Sequence, residues 1–231
     1  MNIILIRPEE ISGGTAVLSD TRHTHIKNVL KASEGDSLKA GILGGGLGTA
    51  EILNITDTCI TLRPDCNAQA PAPLPVTVIL ALPRPKVFRR VLFGLACAGI
   101  KDIHIINSWR VDKSYWESPY LERDKIDEHL FDALQQSKDT ILPKVTLHRF
   151  FMEFAGEVLE KTEIPNRFIA HPAGSFRKEF PKPMCLAVGC EGGFIQKELD
   201  TFERYGFQQF SAGERILTTE YAVPYILGMI T

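Results

Sequence analysis

The sequence predicts an α/β protein (α+β overall): a small β-barrel over residues 1–70, a linker over 71–75 and an α/β domain over 76–231. Three observations predict it. Short strand-like runs separated by turn residues fill the first part of the chain. Prolines at alternate positions, Pro71, Pro73 and Pro75, favour an extended, semi-rigid connector. Beyond them, continuous apolar runs alternate with helical patterns, which is the order of a parallel sheet.

In the first domain the candidate strands are Ile3–Ile6, Ala16–Leu18, Ser37–Leu43, Thr49–Ile55 and Ile60–Leu62. A five- or six-stranded barrel fits them. The run Gly44-Gly45-Gly46-Leu47-Gly48 joins two strands and opens no helix. It therefore reads as a hairpin loop rather than a dinucleotide-binding turn. A helix over Thr21 to Leu30 interrupts the strands and sets His23, Lys27 and Lys31 near one face. His23 and His25 form an HxH with no cysteine or carboxylate cluster nearby, so no metal site is expected there.

In the second domain Val76–Leu82 is a continuous apolar strand, Val87–Ala98 a helix and Ile103–Ile106 a strand. A charged helix follows over Tyr120–Lys138, then strand Lys144–His148, a helix over Phe151–Lys161 and strand Phe168–Ala170. Cys185–Val188 is a further buried strand, followed by a glycine loop, Gly189–Gly193, and a helix from Phe194 to Gly206. Strand Gln209–Ser211 runs into a second loop, Ala212–Leu217, and an apolar helix begins near Thr219.

The composition, 44% hydrophobic and 23% charged, is that of a globular chain. No apolar run reaches the roughly 18–20 residues that span a bilayer, and the first ten residues lack a secretory signal pattern. A cytoplasmic protein with no membrane association is expected. The five cysteines, Cys59, Cys66, Cys97, Cys185 and Cys190, show no paired CxxC spacing. The net charge of −2 makes no global case for nucleic acid. Its distribution does more: Leu82–Lys113 carries seven basic residues against Asp102 and Asp112, a local +5. Arg84, Lys86, Arg89 and Arg90, with His23, Lys27 and Lys31, are the candidate RNA contacts; a solvated face is the competing reading.

There is no GxSxG elbow and no GxxxxGK[ST] phosphate loop. The remaining candidate site is the pair of loops after Val188 and Ser211, which lie beyond strand ends where α/β sheets bind ligands. Glycines there let a ligand approach the backbone. Two simple βα turns are the alternative.

The pair VGCEGGF (188–194) and SAGERILTTEYA (211–222) resembles the small-subunit ribosomal RNA uridine-N3 methyltransferases of the SPOUT class, whose pattern is close to GPEGG, a helix, then LGxRILRxETA. HIKNVLK (25–31), Gln136-Ser137 with Leu142-Pro143, and His171-Pro172 resemble further family segments, so the likeness runs along nearly the whole chain. The resemblance implies a PUA-like RNA-binding barrel and a C-terminal SPOUT domain with a deep trefoil knot, a rare exception to unthreaded topology. It implies S-adenosylmethionine as the methyl donor, a homodimer, and ribosomal RNA or the small ribosomal subunit as substrate, hence a place in rRNA processing. His171, Val188, Gly189, Glu191, Gly192, Gly193, Ala212, Gly213, Ile216 and Leu217 are the implied donor-binding residues, and Arg215 and Glu220 the implied catalytic ones. Glu191 has an alternative role as cap of the helix near Phe194. Arg215 has one as a salt-bridge partner of Glu214, Glu220 or the second subunit.

Four places depart from the family pattern: Cys190 replaces the loop proline, Thr218 a second arginine, Tyr221 a threonine, and Lys138-Asp139 a glycine and an arginine. A glutamate is also missing around Ala98-Gly99-Ile100. The donor loops keep the pattern better than the positions expected to face RNA. A protein that binds RNA or the donor without transfer, or that methylates another RNA, is the alternative. An enzyme on a doubly wound nucleotide-binding sheet would need a glycine loop after Val76–Leu82, where Pro83-Arg84-Pro85-Lys86 stands instead.

Overall fold

A computed structural model describes residues 1–230; Thr231, the last residue of the expected 76–231 domain, lies outside the described residues. Contacts divide the chain into two units, Met1–Ala72 with Leu130–Leu142, and Pro73–His129 with Pro143 onward.

The first unit holds a six-stranded sheet in the order β1-β4-β5-β6-β3-β2. The strands are β1 (Ile4–Ile6), β2 (Ile11–Ser12), β3 (Thr15–Leu18), β4 (Ser37–Ile42), β5 (Leu47–Ile55) and β6 (Ile60–Ala68). Alternate residues of β3, β4 and β6 face a core of Ile6, Ala16, Leu18, Leu38, Ala40 and Leu62, the period of two expected of a half-buried strand. The β6 strand runs on through Asn67 and Ala68, beyond the expected Leu62, and ends shortly before the expected connector at 71–75.

Residues Leu130–Leu142, which lie outside the expected span 1–70, belong by contact to this unit. The physical reason is a second apolar cluster in which Ile3 and Leu5 pack on Phe131 and Leu134. Backbone donors of Asn2 and Ile3 share the Gln135 carbonyl, at 2.9 and 3.1 Å.

The helix expected over Thr21–Leu30 is a short α-helix, α1 (Thr21–His25), running into a π-helical turn at Ile26–Leu30. Asp20 caps it, accepting from the Arg22 backbone N–H. The Arg22 guanidinium is buried against Asp20, Glu10 and the Leu5 carbonyl. Burial pushes the Asp20 carboxyl up, but the Arg22 hydrogen bonds and charge outweigh it and leave it below its ordinary value.

The second unit holds six parallel strands in the order β12-β10-β11-β7-β8-β9. They are β7 (Val76–Ala81), β8 (Asp102–Ile106), β9 (Lys144–His148), β10 (Asn166–Phe176), β11 (Met184–Val188) and β12 (Gln208–Ser211). Both central strands, β7 and β11, are near-continuous apolar runs, as buried parallel strands are. The helices are α2 (Pro85–Cys97), α3 (Arg123–Ser137), α4 (Phe151–Phe154, continuing as a π turn to Leu159), α5 (Gln196–Arg204) and α6 (Thr219–Ile230). Pro85 at the first position fits the start of α2. Its buried face is Phe88, Val91, Leu92 and Leu95, spaced three and four apart.

The register places the site. Val188 lies beside Leu80 and Ala170, and Ala170 beside Phe210. The ends of β10, β11 and β12 are therefore level, and the loops that follow open on one side of the sheet. The chain runs outward from β7 through β8 to β9 before β10–β12 build the other half, which makes β7/β11 the switch in strand order where α/β sheets hold ligands. Among the described residues no helix is long and apolar enough to cross a membrane.

Candidate functional site

The loops after β11 and β12, the outer half of β10, one face of α6 and Arg110 enclose a cavity of about 830 Å³. That is the size of an organic-ligand pocket. His171, Val188, Gly189, Glu191, Gly192, Gly193, Ala212, Gly213, Ile216 and Leu217 all line it, as does Arg215.

The first loop turns on itself through the Gly193 N–H, which donates to the Cys190 carbonyl at 2.9 Å. Arg110 lies across it: its guanidinium donates to the Gly192 carbonyl at 2.5 Å. A Cβ on Gly192 would stand 2.9 Å from the Arg110 Cβ, so only glycine admits this contact. Helix α5 starts at Gln196, two residues later than Phe194, and is capped by its own Glu198, which accepts from Ile195 N at 2.9 Å. Glu191 caps a different helix: its carboxylate accepts from Arg84 N, the residue before α2, at 3.1 Å. A carboxylate at a helix N-terminus is favoured electrostatically.

In the second loop Gly213 holds φ +140, a region other residues rarely enter. Ser211 spans it, donating to the Gly213 carbonyl at 2.7 Å. Ile216 is 83% exposed, and among the described residues the peptide groups of Ile216 and Leu217 have no intrachain hydrogen-bond partner. Thr219, buried at the start of α6, donates its hydroxyl to the Gly189 carbonyl at 3.2 Å and so joins the two loops. His171 Nδ1 accepts from Ala173 N at 3.3 Å, which fixes the ring at the cavity wall.

Arg215 is exposed and meets no carboxylate among the described residues, so it forms no ion pair with Glu214 or Glu220. Glu220 does not line the cavity; it pairs with Arg90 of α2 at 2.6 Å. The cause is helical geometry, since Thr219, Ala222 and Ile226 face the cavity and Glu220 faces α2.

The RNA candidates separate. His23 is buried, and its Nε2–H donates to the Thr56 carbonyl at 3.1 Å. Lys27 pairs with Asp57 at 2.6 Å, whose carboxyl it holds below its ordinary value by hydrogen bond and charge. Lys31 ends the π turn at φ +53 and is exposed. His23 and Lys27 keep a common face, both reaching the Thr56 carbonyl, at 3.1 and 3.5 Å. Arg84 is exposed. Lys86, Arg89 and Arg90 gather at a second cleft with Phe93, Tyr120 and His129.

Two contributors are not evident from sequence. Arg110 counted only as a charge, although it follows β8 as the glycine loops follow their strands. Glu198 looked like a solvated helix residue, yet it is buried and also accepts from Trp109 N at 2.8 Å. It ties the loop carrying Arg110 to the start of α5. No group of three or more His, Cys, Asp or Glu side chains among the described residues could hold a metal ion.

Comparison with known proteins agrees with this architecture. A family model described as an RNA methyltransferase domain matches residues 70–231. The ribosomal RNA small subunit methyltransferase E of Treponema pallidum is 30% identical, over 96% of this chain and 87% of that protein. Among solved structures, the ribosomal RNA small subunit methyltransferase E of Neisseria gonorrhoeae, bound to S-adenosyl methionine, superposes with a TM-score of 0.77 at 21% identity, covering 98% of this chain and 95% of that one. A Legionella pneumophila methyltransferase in complex with SAM gives 0.76 at 21%, covering 99% and 96%. With a family match over most of the chain and a relative at 30% identity along almost all of it, the chain belongs to the RNA methyltransferase family that includes the ribosomal RNA small subunit methyltransferases E.

Proposed function

We propose that the cavity binds S-adenosylmethionine and that the protein methylates N3 of a uridine in small-subunit ribosomal RNA. The observation that carries this reading is the cavity itself, with unpaired peptide groups at Ile216 and Leu217 and apolar walls at Val188 and Ile226. Such groups suit a flat heterocycle with polar edges, and the volume of about 830 Å³ accommodates a nucleoside donor and a base.

When bound, the donor supplies a methyl group on a positively charged sulfur. Glu191, fixed by Arg84 N, places a carboxylate at the cavity wall, where it favours a cationic ligand. Gly192 and Arg110 set the shape of the first loop, and Thr219 holds it against the second. Arg215, unpaired and at the rim, offers its guanidinium to the oxygens of a uracil ring. As the N3 proton passes to solvent water, negative charge grows on those oxygens, and a cation there lowers the barrier. The loops' alignment of base and donor contributes further. Glu220 acts at one remove, by holding α2 to α6 through Arg90.

In this reading the first unit is a PUA-like barrel that holds RNA, with Lys31 and Lys27 at its exposed turn. The second unit is a SPOUT domain whose last segment, from Ala212 on, is threaded as a deep trefoil knot. The protein acts in the cytoplasm as a homodimer. Exposed Ile216, Tyr221 and Tyr225 support the dimer, since apolar side chains clustered at one helix and its loop mark association surfaces. Titration of the purified protein with S-adenosylmethionine by calorimetry tests the site. Saturable binding of one donor per chain is expected, and folded protein that takes up none overturns the reading.

A further inference from the structure

Helix α2 presents Lys86, Arg89, Arg90 and Phe93 on one side, at helical spacings of three and four. With Tyr120 and His129 they surround a cleft of about 610 Å³. The His129 ring donates from Nε2 to the Arg89 carbonyl at 2.6 Å and lies 5.5 Å from the Phe93 ring, which fixes one wall. The exposed Arg89 carries its guanidinium carbon 4.7 Å from the centre of the Tyr120 ring.

The charges are not equivalent. Arg90 is engaged by Glu220, whose hydrogen bond raises it further above its ordinary value. Lys86 and Arg89 meet no carboxylate among the described residues, and the Tyr120 hydroxyl has no partner there. Two uncompensated cations, an exposed guanidinium beside an aromatic ring and a free phenol are the groups that hold a phosphate and a neighbouring exposed base. Duplex RNA buries its base faces and offers no base to stack.

The cleft also has a fixed relation to the donor cavity within the same unit. Helix α6 separates them: Thr219, Ala222 and Ile226 line the cavity, while Glu220 reaches the Arg90 side of the cleft. We propose that this cleft is a docking site for a single-stranded nucleotide of the substrate RNA flanking the methylated base, with its phosphate on Lys86 and Arg89 and its base stacked on the Arg89 guanidinium beside Tyr120. The inference rests on the chain acting as an RNA methyltransferase.

The test is fluorescence anisotropy with a labelled short oligouridylate, beside calorimetry with S-adenosylmethionine, on wild type, Lys86→Gln and Tyr120→Ala. Tyr120→Ala should weaken oligouridylate binding roughly tenfold, because it removes the ring against which the Arg89 platform rests. Lys86→Gln should lower the slope of log affinity against log salt by about 0.7, one phosphate contact on a single strand. Donor binding should stay as in wild type in both. Unchanged oligouridylate affinity and salt slope with donor binding intact would overturn the docking site. So would equal competition by an RNA duplex. Wild type that binds oligouridylate but no donor would instead sink the methyltransferase reading and leave the cleft standing.

Discussion

Thr219 Oγ1 donates to the Gly189 carbonyl at 3.2 Å, and through that bond the first residue of α6 holds the loop that follows β11. Both atoms are in a buried setting, and the two loops they join come from strands separated by β10. Thr219→Val keeps the shape and removes the donor, leaving a buried carbonyl unpaired. It should lower stability by about 1–3 kcal/mol and weaken S-adenosylmethionine binding, measured by urea denaturation and calorimetry. Loss of stability with unaltered donor affinity would show that the bond serves folding alone.

Glu198 accepts from two backbone donors, Ile195 N and Trp109 N, at 2.9 and 2.8 Å. Glu198→Ala strands both and should cost about 1–3 kcal/mol in equilibrium unfolding. Glu198→Gln retains one carbonyl acceptor and should lose less. Equal losses would mean that charge, rather than hydrogen bonding, carries the effect.

Arg215→Ala should lower the turnover number by about 10²–10³, the range for removal of a group that stabilises developing charge, while donor binding persists. Arg215→Lys keeps a cation at the rim without the fork and should recover part of the rate. A rise in the Michaelis constant alone would assign Arg215 to RNA binding.

His104 and His148 share a hydrogen bond of 2.9 Å between adjacent parallel strands, with Asp102 3.5 Å beyond His104. Burial, then the His104 charge, holds His148 below its ordinary 6.5. The folded state thus favours the neutral ring; its contribution is full above the unfolded value of about 6.5 and is lost as pH falls below that through the depressed folded value. The His104 hydrogen bond outweighs burial and holds the Asp102 carboxyl below its ordinary value, so that contribution disappears only in stronger acid. Thermal unfolding should show a falling Tm from pH 7 to about 5, and His148→Asn should make that decline shallower. A slope identical to wild type would remove His148 from the account.

The two loops that line the cavity were legible because glycine-bearing turns after buried strands have a local signature, and Val188 and Ser211 mark the strand ends. Glu220 was misplaced because a motif gives order along α6 and not which side of the helix meets the cavity. For His23, periodicity gave the face it shares with Lys27, where both reach the Thr56 carbonyl, and not the burial of its ring. Arg110 and Glu198 stayed hidden because their partners, Gly192 and Trp109, are distant in the sequence. The contribution of Leu130–Leu142 to the first unit was illegible because one unbroken helix, α3, carries charged turns and then the apolar pair Phe131 and Leu134.

The central claim is tested most directly by transfer itself. Purified protein is incubated with labelled S-adenosylmethionine and small ribosomal subunits from cells lacking it, and the RNA is digested for nucleoside mass spectrometry. The account predicts that the label appears as 3-methyluridine and disappears with Arg215→Ala. Label on a different nucleoside, or none from protein that binds the donor, would contradict it.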